Sequence, residues 1–251
     1  MHLFPRLLLT ALLAGLLSGG LATVLHNLGT VPIILQAETY EQAAEAPAHH
    51  ATPSPAQPPT ASTTAPPAEA HAHDDGGWSP ADGAERIAYT LLADLLTGIG
   101  FALLLVSGFA LRAPPGDDRS FGWRQGLFWG LAGFAVFTLA PGLGLPPELP
   151  GTEAAPLAER QVWWLATAAL TASALALIAF TRNPGWAALA IVLLLLPHLA
   201  GAPQPAGHAA LAPPELARRF LVTATATSLL FWVVLGTIAG WLYGRPTRRT
   251  A

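Results

Sequence analysis

Three side chains sit where an apolar stretch should not tolerate them. Asp94 lies inside the run "IAYTLLADLLTGIGF", His26 closes the run "LLTALLAGLLSGGLATVLH", and His198 follows Pro197 in "IVLLLLPHLAG". A charge at the centre of a bilayer costs at least ~2.5 kcal/mol, so a carboxylate there implies a cation, a pairing arginine or a proton. Imidazole and carboxylate together suit Co²⁺, Ni²⁺ or Zn²⁺. Three such groups on separate helices would make a partial metal site, completed by carbonyls or water. The alternatives are structural: Asp94 pairing with an arginine or capping a helix end, and the histidines hydrogen-bonding at a membrane interface.

Further ligand-type residues lie in the connecting segments. "EAHAHDDGGWSPADGAER" sets His71 and His73 beside Asp74 and Asp75, and His49 and His50 occur upstream. Histidine-bearing tracts of this kind either capture metal transiently or serve as a soluble tether. Glu38 and Glu41 in "QAETYE" follow the apolar "VPIIL" and are either ligands at a mouth or the start of a solvated helix. Glu148 stands between prolines in "GLPPELPG", a stiff turn.

The elements that must position these groups follow from composition. Of 251 residues, 52% are hydrophobic and 11% charged, with a mean hydropathy of +0.46. Soluble domains carry about 25% charge, so the chain reads as an all-α integral membrane protein. It has no lysine, which excludes a phosphate-binding loop of the Gly-Lys-Ser/Thr type. It has no cysteine, hence no disulfide, thiolate site or cysteine nucleophile. No His-Glu-x-x-His or Gly-x-Ser-x-Gly string occurs, and no enzymatic activity is expected. No permanently bound cofactor and no nucleic-acid partner are expected either.

Apolar runs near the ~20 residues needed to span a bilayer fall at about 7–25, 87–111, 125–145, 162–180, 186–200 and 220–243. The first is read as an uncleaved span rather than a signal peptide, since its apolar character persists through "GGLATVL" and Arg6 is the only charge that precedes it. Residues 43–77, rich in Ala, Pro and Thr, are expected to form a disordered extracytoplasmic loop within one polytopic domain.

Orientation comes from arginine. With the N-terminus inside, eight arginines and two aspartates face the cytoplasm, while four arginines and twelve acids face outward. Six spans with both termini cytoplasmic satisfy the rule. Three similar hairpins are suggested, each outer turn reading Leu-small-Pro: "HNLGTVP", "PGLGLPP" and "PHLAGAP". Glycines four apart (Gly15/Gly19, Gly122/Gly126/Gly130, Gly236/Gly240/Gly244) suit close helix packing within the bundle. Trp123, Trp163, Trp164, Trp186 and Trp241 are placed at span ends as interfacial anchors.

Taken together, "VPIILQAETYE", "PADGAERIAYTLLADLLTGIGFALLL", "LAPGLGLPPELPG", "RQVWWLATAALTA", "LPHLAGAPQP" and "LFWVVLGTIAGWLYGR" resemble the CbtA family, the predicted cobalt transporter subunit. The resemblance spans nearly the whole chain except the Ala/Pro/Thr loop. It implies a bacterial inner-membrane protein linked to cobalt uptake for cobalamin synthesis, working beside a small single-span, histidine-rich CbtB-like partner. The family's motif positions present here are Glu38, Glu41, His71, His73, Asp82, Glu148, Arg160, His198 and Pro203. Cobalt rests on this resemblance, since divalent affinity follows the Irving–Williams order and ligand type does not exclude Ni²⁺. The expected function is therefore inward passage of a divalent metal, with His26, Asp94 and His198 at the transfer site. The rival is a non-transporting assembly or metal-sensing subunit.

Overall fold

The computed structural model describes residues 3–45, 80–81, 83–113, 121–207 and 209–245. The described residues are almost entirely helical: α1 (Leu3–Leu25), α2 (Val31–Glu45), α3 (Ala84–Arg112), α4 (Trp123–Phe134), α5 (Leu157–Phe180), α6 (Pro184–Ala200) and α7 (Pro214–Tyr243). The region expected to be a loop lies almost wholly outside them.

Local sequence explains where the helices begin and end. Asn183 caps α6, its side chain accepting from Gly185 N at 2.8 Å, and Pro184 takes the first turn, where no N–H is missed. Gly201, at φ +83°, ends α6 in a conformation only glycine adopts freely. In α4, Gln125 reaches back to accept from Gly122 N at 3.1 Å.

Four helical stretches are long and apolar enough to cross a membrane: Phe4–Ala44, Ala84–Arg112, Leu157–Phe180 and Pro214–Tyr243. The apolar α6 is shorter, at 17 residues. α4 continues through a π turn (Ala135–Leu139) and a last turn at Ala140–Gly142.

The first of these stretches departs from the sequence reading. "HNLGTVP" was expected to be an outer-face turn ending the first span. Instead His26–Thr30 is a π turn that carries α1 without a break into α2. Side chains take up the disturbed backbone: Asn27 Nδ2 donates to Thr23 O at 2.8 Å and Thr30 Oγ1 to His26 O at 3.3 Å. Gly29 lies against α7, where a Cβ would come 2.9 Å from Thr223 Cγ2. A proline at position 32 has no N–H to donate, which a continuous helix tolerates near a register change better than within a regular run.

At 1.5 Å per residue the 41-residue stretch is about 60 Å long, twice the ~30 Å hydrocarbon thickness. α2 must therefore project beyond the core. There it shares a small apolar cluster with the first turns of α7 and the segment before α5: Ile33, Ala37, Leu149, Leu216 and Phe220.

The main core lies among α1, α3, α4 and α7, built on Val106, Phe109, Phe134, Trp232, Leu235 and Ala239. The four-spaced glycines make it possible. A Cβ on Gly126 would overlap Gly236 O, one on Gly130 would overlap Trp232 O, and one on Gly19 would come 2.6 Å from Asp94 O. Lipid supplies no hydrophobic drive between helices, so backbone-to-backbone contact through glycine does that work. The expected reading of these glycines, packing inside one bundle, is what the structure displays.

α5 and α6 form a hairpin that packs on itself through Thr167, Ala168, Thr171, Ala174 and Ala190. It meets the bundle mainly at the far end of α4, where Trp164 faces Phe137.

The ends of the helices sort by charge. Arg6 Nη2 donates to Tyr243 O at 2.7 Å and Arg245 O at 2.6 Å, Tyr243 Oη donates to Ala113 O, and Arg112 lies over the Phe180 ring. Both described termini thus share the arginine-rich end. The opposite end holds the Glu38–Arg86 and Glu148–Arg160 ion pairs and an isolated bridge between Thr152 and Ala210.

Candidate metal site

Asp94 and His26 are brought together. α3 places Asp94 ten residues from its start at Ala84, about 15 Å along the axis. The π turn carries His26 to the same level, and His26 Nδ1 stands 3.1 Å from Asp94 Oδ2. Thr23 Oγ1 donates to the same oxygen at 2.9 Å. The Asp94 side chain is 15% exposed and that of His26 34%.

With Nδ1 as donor, Asp94 fixes the imidazole tautomer that leaves Nε2 as a lone-pair ligand. Among the described residues, neither Nε2 nor Asp94 Oδ1 has a protein partner. One nitrogen and one oxygen thus remain available to a cation.

Both residues line a cavity of about 170 Å³. Four hydroxyl-bearing residues also line it, Thr97, Thr138, Thr227 and Ser228, together with Trp232. Thr138 and Ser228 are themselves hydrogen-bonded at 2.8 Å, joining the second π turn to α7. Both π turns therefore end on this cavity, His26 from the first and Phe137 and Thr138 from the second. Such turns are uncommon and concentrate at functional sites.

The remaining candidates fall elsewhere. His198 does not line the cavity; its ring stands edge-on to Trp163, centroids 6.0 Å apart. It belongs to α6, on the peripheral hairpin, which explains why the expected triad with His26 and Asp94 does not form. Among the described residues, no three His, Cys, Asp or Glu side chains converge on a metal position.

Glu38 does not open a helix. It sits in the middle of α2, and its Oε1 accepts from Arg86 Nη2 at 3.0 Å, tying α2 to α3. Glu41 is half-buried one turn further along α2. Glu148 Oε2 pairs with Arg160 Nη2 at 3.2 Å. That pair borders a second cavity of about 240 Å³, with Glu153 and Pro203 in its wall. His71, His73 and Asp82 lie outside the described residues.

Trp163 does more than anchor at an interface. Its Nε1 donates to Pro197 O at 3.2 Å, fastening α5 to α6 beside His198.

The hydroxyl lining was missed from sequence because only ionisable groups were sought inside spans. The signal was present: "VTATATSLL" sets Thr223, Thr225, Thr227 and Ser228 close together in an otherwise apolar helix.

A carboxylate–imidazole pair in a hydroxyl-lined cavity, inside a helical bundle apolar enough for a membrane, fits the family comparison. Residues 4–244 match the family described as "Probable cobalt transporter subunit (CbtA)". The chain belongs to the CbtA family. No curated protein and no solved structure matches it. Membership makes this CbtA-family chain a membrane protein of a cobalt transporter family, and a subunit, so that it works with partners. A transporter-subunit family points away from enzymatic catalysis.

Proposed function

We propose that this chain is the membrane subunit of a divalent-metal uptake system, passing Co²⁺ from the outer side into the cytoplasm with the His26–Asp94 cavity as the transfer site. One observation carries the reading: His26 Nδ1 at 3.1 Å from Asp94 Oδ2, in a small cavity that Thr97, Thr138, Thr227 and Ser228 also line. The cavity has room for several waters at ~30 Å³ each. A cation entering it would meet the free carboxylate oxygen, the imidazole, the hydroxyls and residual water, a mixed N/O set acceptable to Co²⁺ or Ni²⁺. The choice of cobalt over nickel rests on the family.

The sparse ligand set favours passage over retention. A sensing or storage subunit has to hold its metal, and structural and sensor sites surround it with protein ligands. Two protein ligands and water bind loosely enough to release. Additional ligands would come from His71 and His73, or from a small single-span, histidine-rich CbtB-like partner. In this proposal the chain lies in the bacterial inner membrane with six crossings and both termini cytoplasmic. The gathering of Arg6, Arg112 and Arg245 at one end supports that orientation.

The test is uptake into metal-free vesicles holding a fluorescent chelator, with Co²⁺, Ni²⁺ and Zn²⁺ offered outside, with and without the partner. Asp94→Asn keeps the side-chain shape and the acceptor for His26 but removes the charge. It should insert and accumulate normally and lose metal uptake. Wild-type uptake by a normally abundant Asp94→Asn protein overturns the site.

A further inference from the structure

Three cavities lie in series from the outer end of the molecule to Asp94. The cavity beside the Glu148–Arg160 pair shares Leu145, Pro146 and Arg160 with a cleft of about 860 Å³. That cleft runs between the end of α4, the first turns of α5 and the outer half of α7. At its base it shares Phe137 and Thr138 with the His26–Asp94 cavity. The Thr138–Ser228 hydrogen bond stands at this last junction.

Resting on the transfer site proposed above, we infer that the cleft is the aqueous outer approach for a hydrated divalent cation, and that Thr138 and Ser228 form its inner neck. The widths and linings change in the order that dehydration requires. A space of 860 Å³ takes roughly thirty waters at ~30 Å³ each, so a hydrated ion needs no protein ligands there and apolar walls suffice. At the neck the room falls about fivefold, and the hydroxyl-bearing residues Thr97, Thr138, Thr227 and Ser228 gather around it among aromatic rings. There the ion exchanges part of its water shell for Thr138, Ser228 and then Asp94, as selectivity filters do with carbonyl rings. At the mouth, Arg160 would repel a cation, but its charge is met by Glu148 at 3.2 Å.

The absence of native cysteine permits a direct test in the full-length protein. Thr138→Cys, Ser228→Cys and the cleft-wall variant Thr225→Cys would be exposed, in reconstituted vesicles, to a charged, membrane-impermeant thiosulfonate applied from the outer side. Phe128→Cys, on the exposed face of α4, serves as the lipid-facing control. The three path positions should react and the control should not, and millimolar Co²⁺ should slow reaction at 138 and 228 but not at 225. Reaction at these positions only with an apolar, permeant maleimide would mean that lipid or another helix fills the cleft, and would overturn the proposal. A second measurement covers poor tolerance of cysteine. Thr138→Val makes the neck hydrophobic, which gates by dewetting. It should slow uptake about tenfold while leaving the abundance and monodispersity of the protein unchanged, and unaltered uptake would overturn the neck. The outcomes separate the two readings. Thiol reaction that persists in Asp94→Asn with Co²⁺ protection lost supports both. Reaction without any protection in the native background retains the approach and removes the His26–Asp94 site.

Discussion

The four-helix bundle of α1, α3, α4 and α7 and the α5–α6 hairpin draw on the same apolar alphabet, yet they pack by different means. In the bundle, glycines let backbones touch, and Gly15, Gly19, Gly126, Gly130 and Gly236 leave no room for a Cβ. The hairpin relies on alanine and threonine within itself and turns Val162, Leu165, Ile191 and Leu199 outward. The first arrangement is rigid, because any added atom meets backbone. The second is bound to the rest chiefly at one end, leaving the 860 Å³ cleft beside it. The ligand-bearing pair belongs to the rigid half: Gly19 packs on Asp94 O, so the glycine contact that closes α1 on α3 also sets His26 against Asp94. The proposed transfer site, with two side chains 3.1 Å apart, lies where packing tolerates least change, and its proposed approach lies where packing is sparse.

The largest effect should come from breaking the rigid half. Gly236→Val puts a branched side chain where a single Cβ already overlaps Gly126 O. Overpacking costs ~1–3 kcal/mol where side chains can move; here backbone must move, so folded protein should be lost from detergent extracts, as judged by size-exclusion chromatography. Gly100→Ala, on α3 but with nothing within 4 Å of its added Cβ, is the matched control. It should retain a monodisperse peak, since alanine favours the helix by about 1 kcal/mol. Equal behaviour of the two variants would contradict the distinction between close-packed and open glycines.

That distinction also marks what the sequence makes legible. Helix class and the charge difference between the two ends follow from continuous apolar runs and arginine placement, because a bilayer forces backbone bonds to close within each segment. The pairing of Asp94 with a histidine from α1 was within reach for the same reason: a carboxylate at that depth requires a partner. The π turns were not legible. The segment "HNLGT" continues as helix with Gly29 set close against Thr223 across the bundle, a tertiary contact no local pattern encodes. The placement of His198 was not legible for a related reason: its position at the end of an apolar run looks equivalent to that of His26, and only the placement of the hairpin separates them.

An intermediate effect tests that separation. His198→Ala removes a ring that stands against Trp163, not a group in the cavity. Aromatic edge-on contacts contribute about 0.5–1.5 kcal/mol, so the variant should lower the thermal midpoint modestly and retain most Co²⁺ uptake. His26→Ala, in the rigid half, should lose uptake nearly as fully as Asp94→Asn. Severe loss of transport in a stable His198→Ala protein would show that the hairpin carries part of the ion's path, and would move the site toward α6.

The smallest effect is expected at the Glu38–Arg86 pair, which links the projecting α2 to the start of α3. Both side chains are about one-quarter exposed, at 23% and 27%, and an ion pair in such a position contributes roughly 0–1 kcal/mol, less at high salt. α2 is held independently by Ile33 and Ala37 against Leu216 and Phe220. Glu38→Gln should therefore leave abundance and the maximal uptake rate within error, with any shift in thermal midpoint vanishing as ionic strength rises. The same carboxylate would have a different signature as an entry ligand. Arg86 stands only eight residues before Asp94 on α3, about 12 Å along the axis, so a cation drawn to Glu38 would be near the approach, and its loss would raise the Co²⁺ concentration for half-maximal uptake. That rise, measured at fixed ionic strength to exclude general surface charge, would extend the path to α2. No rise confines Glu38 to holding two helices together.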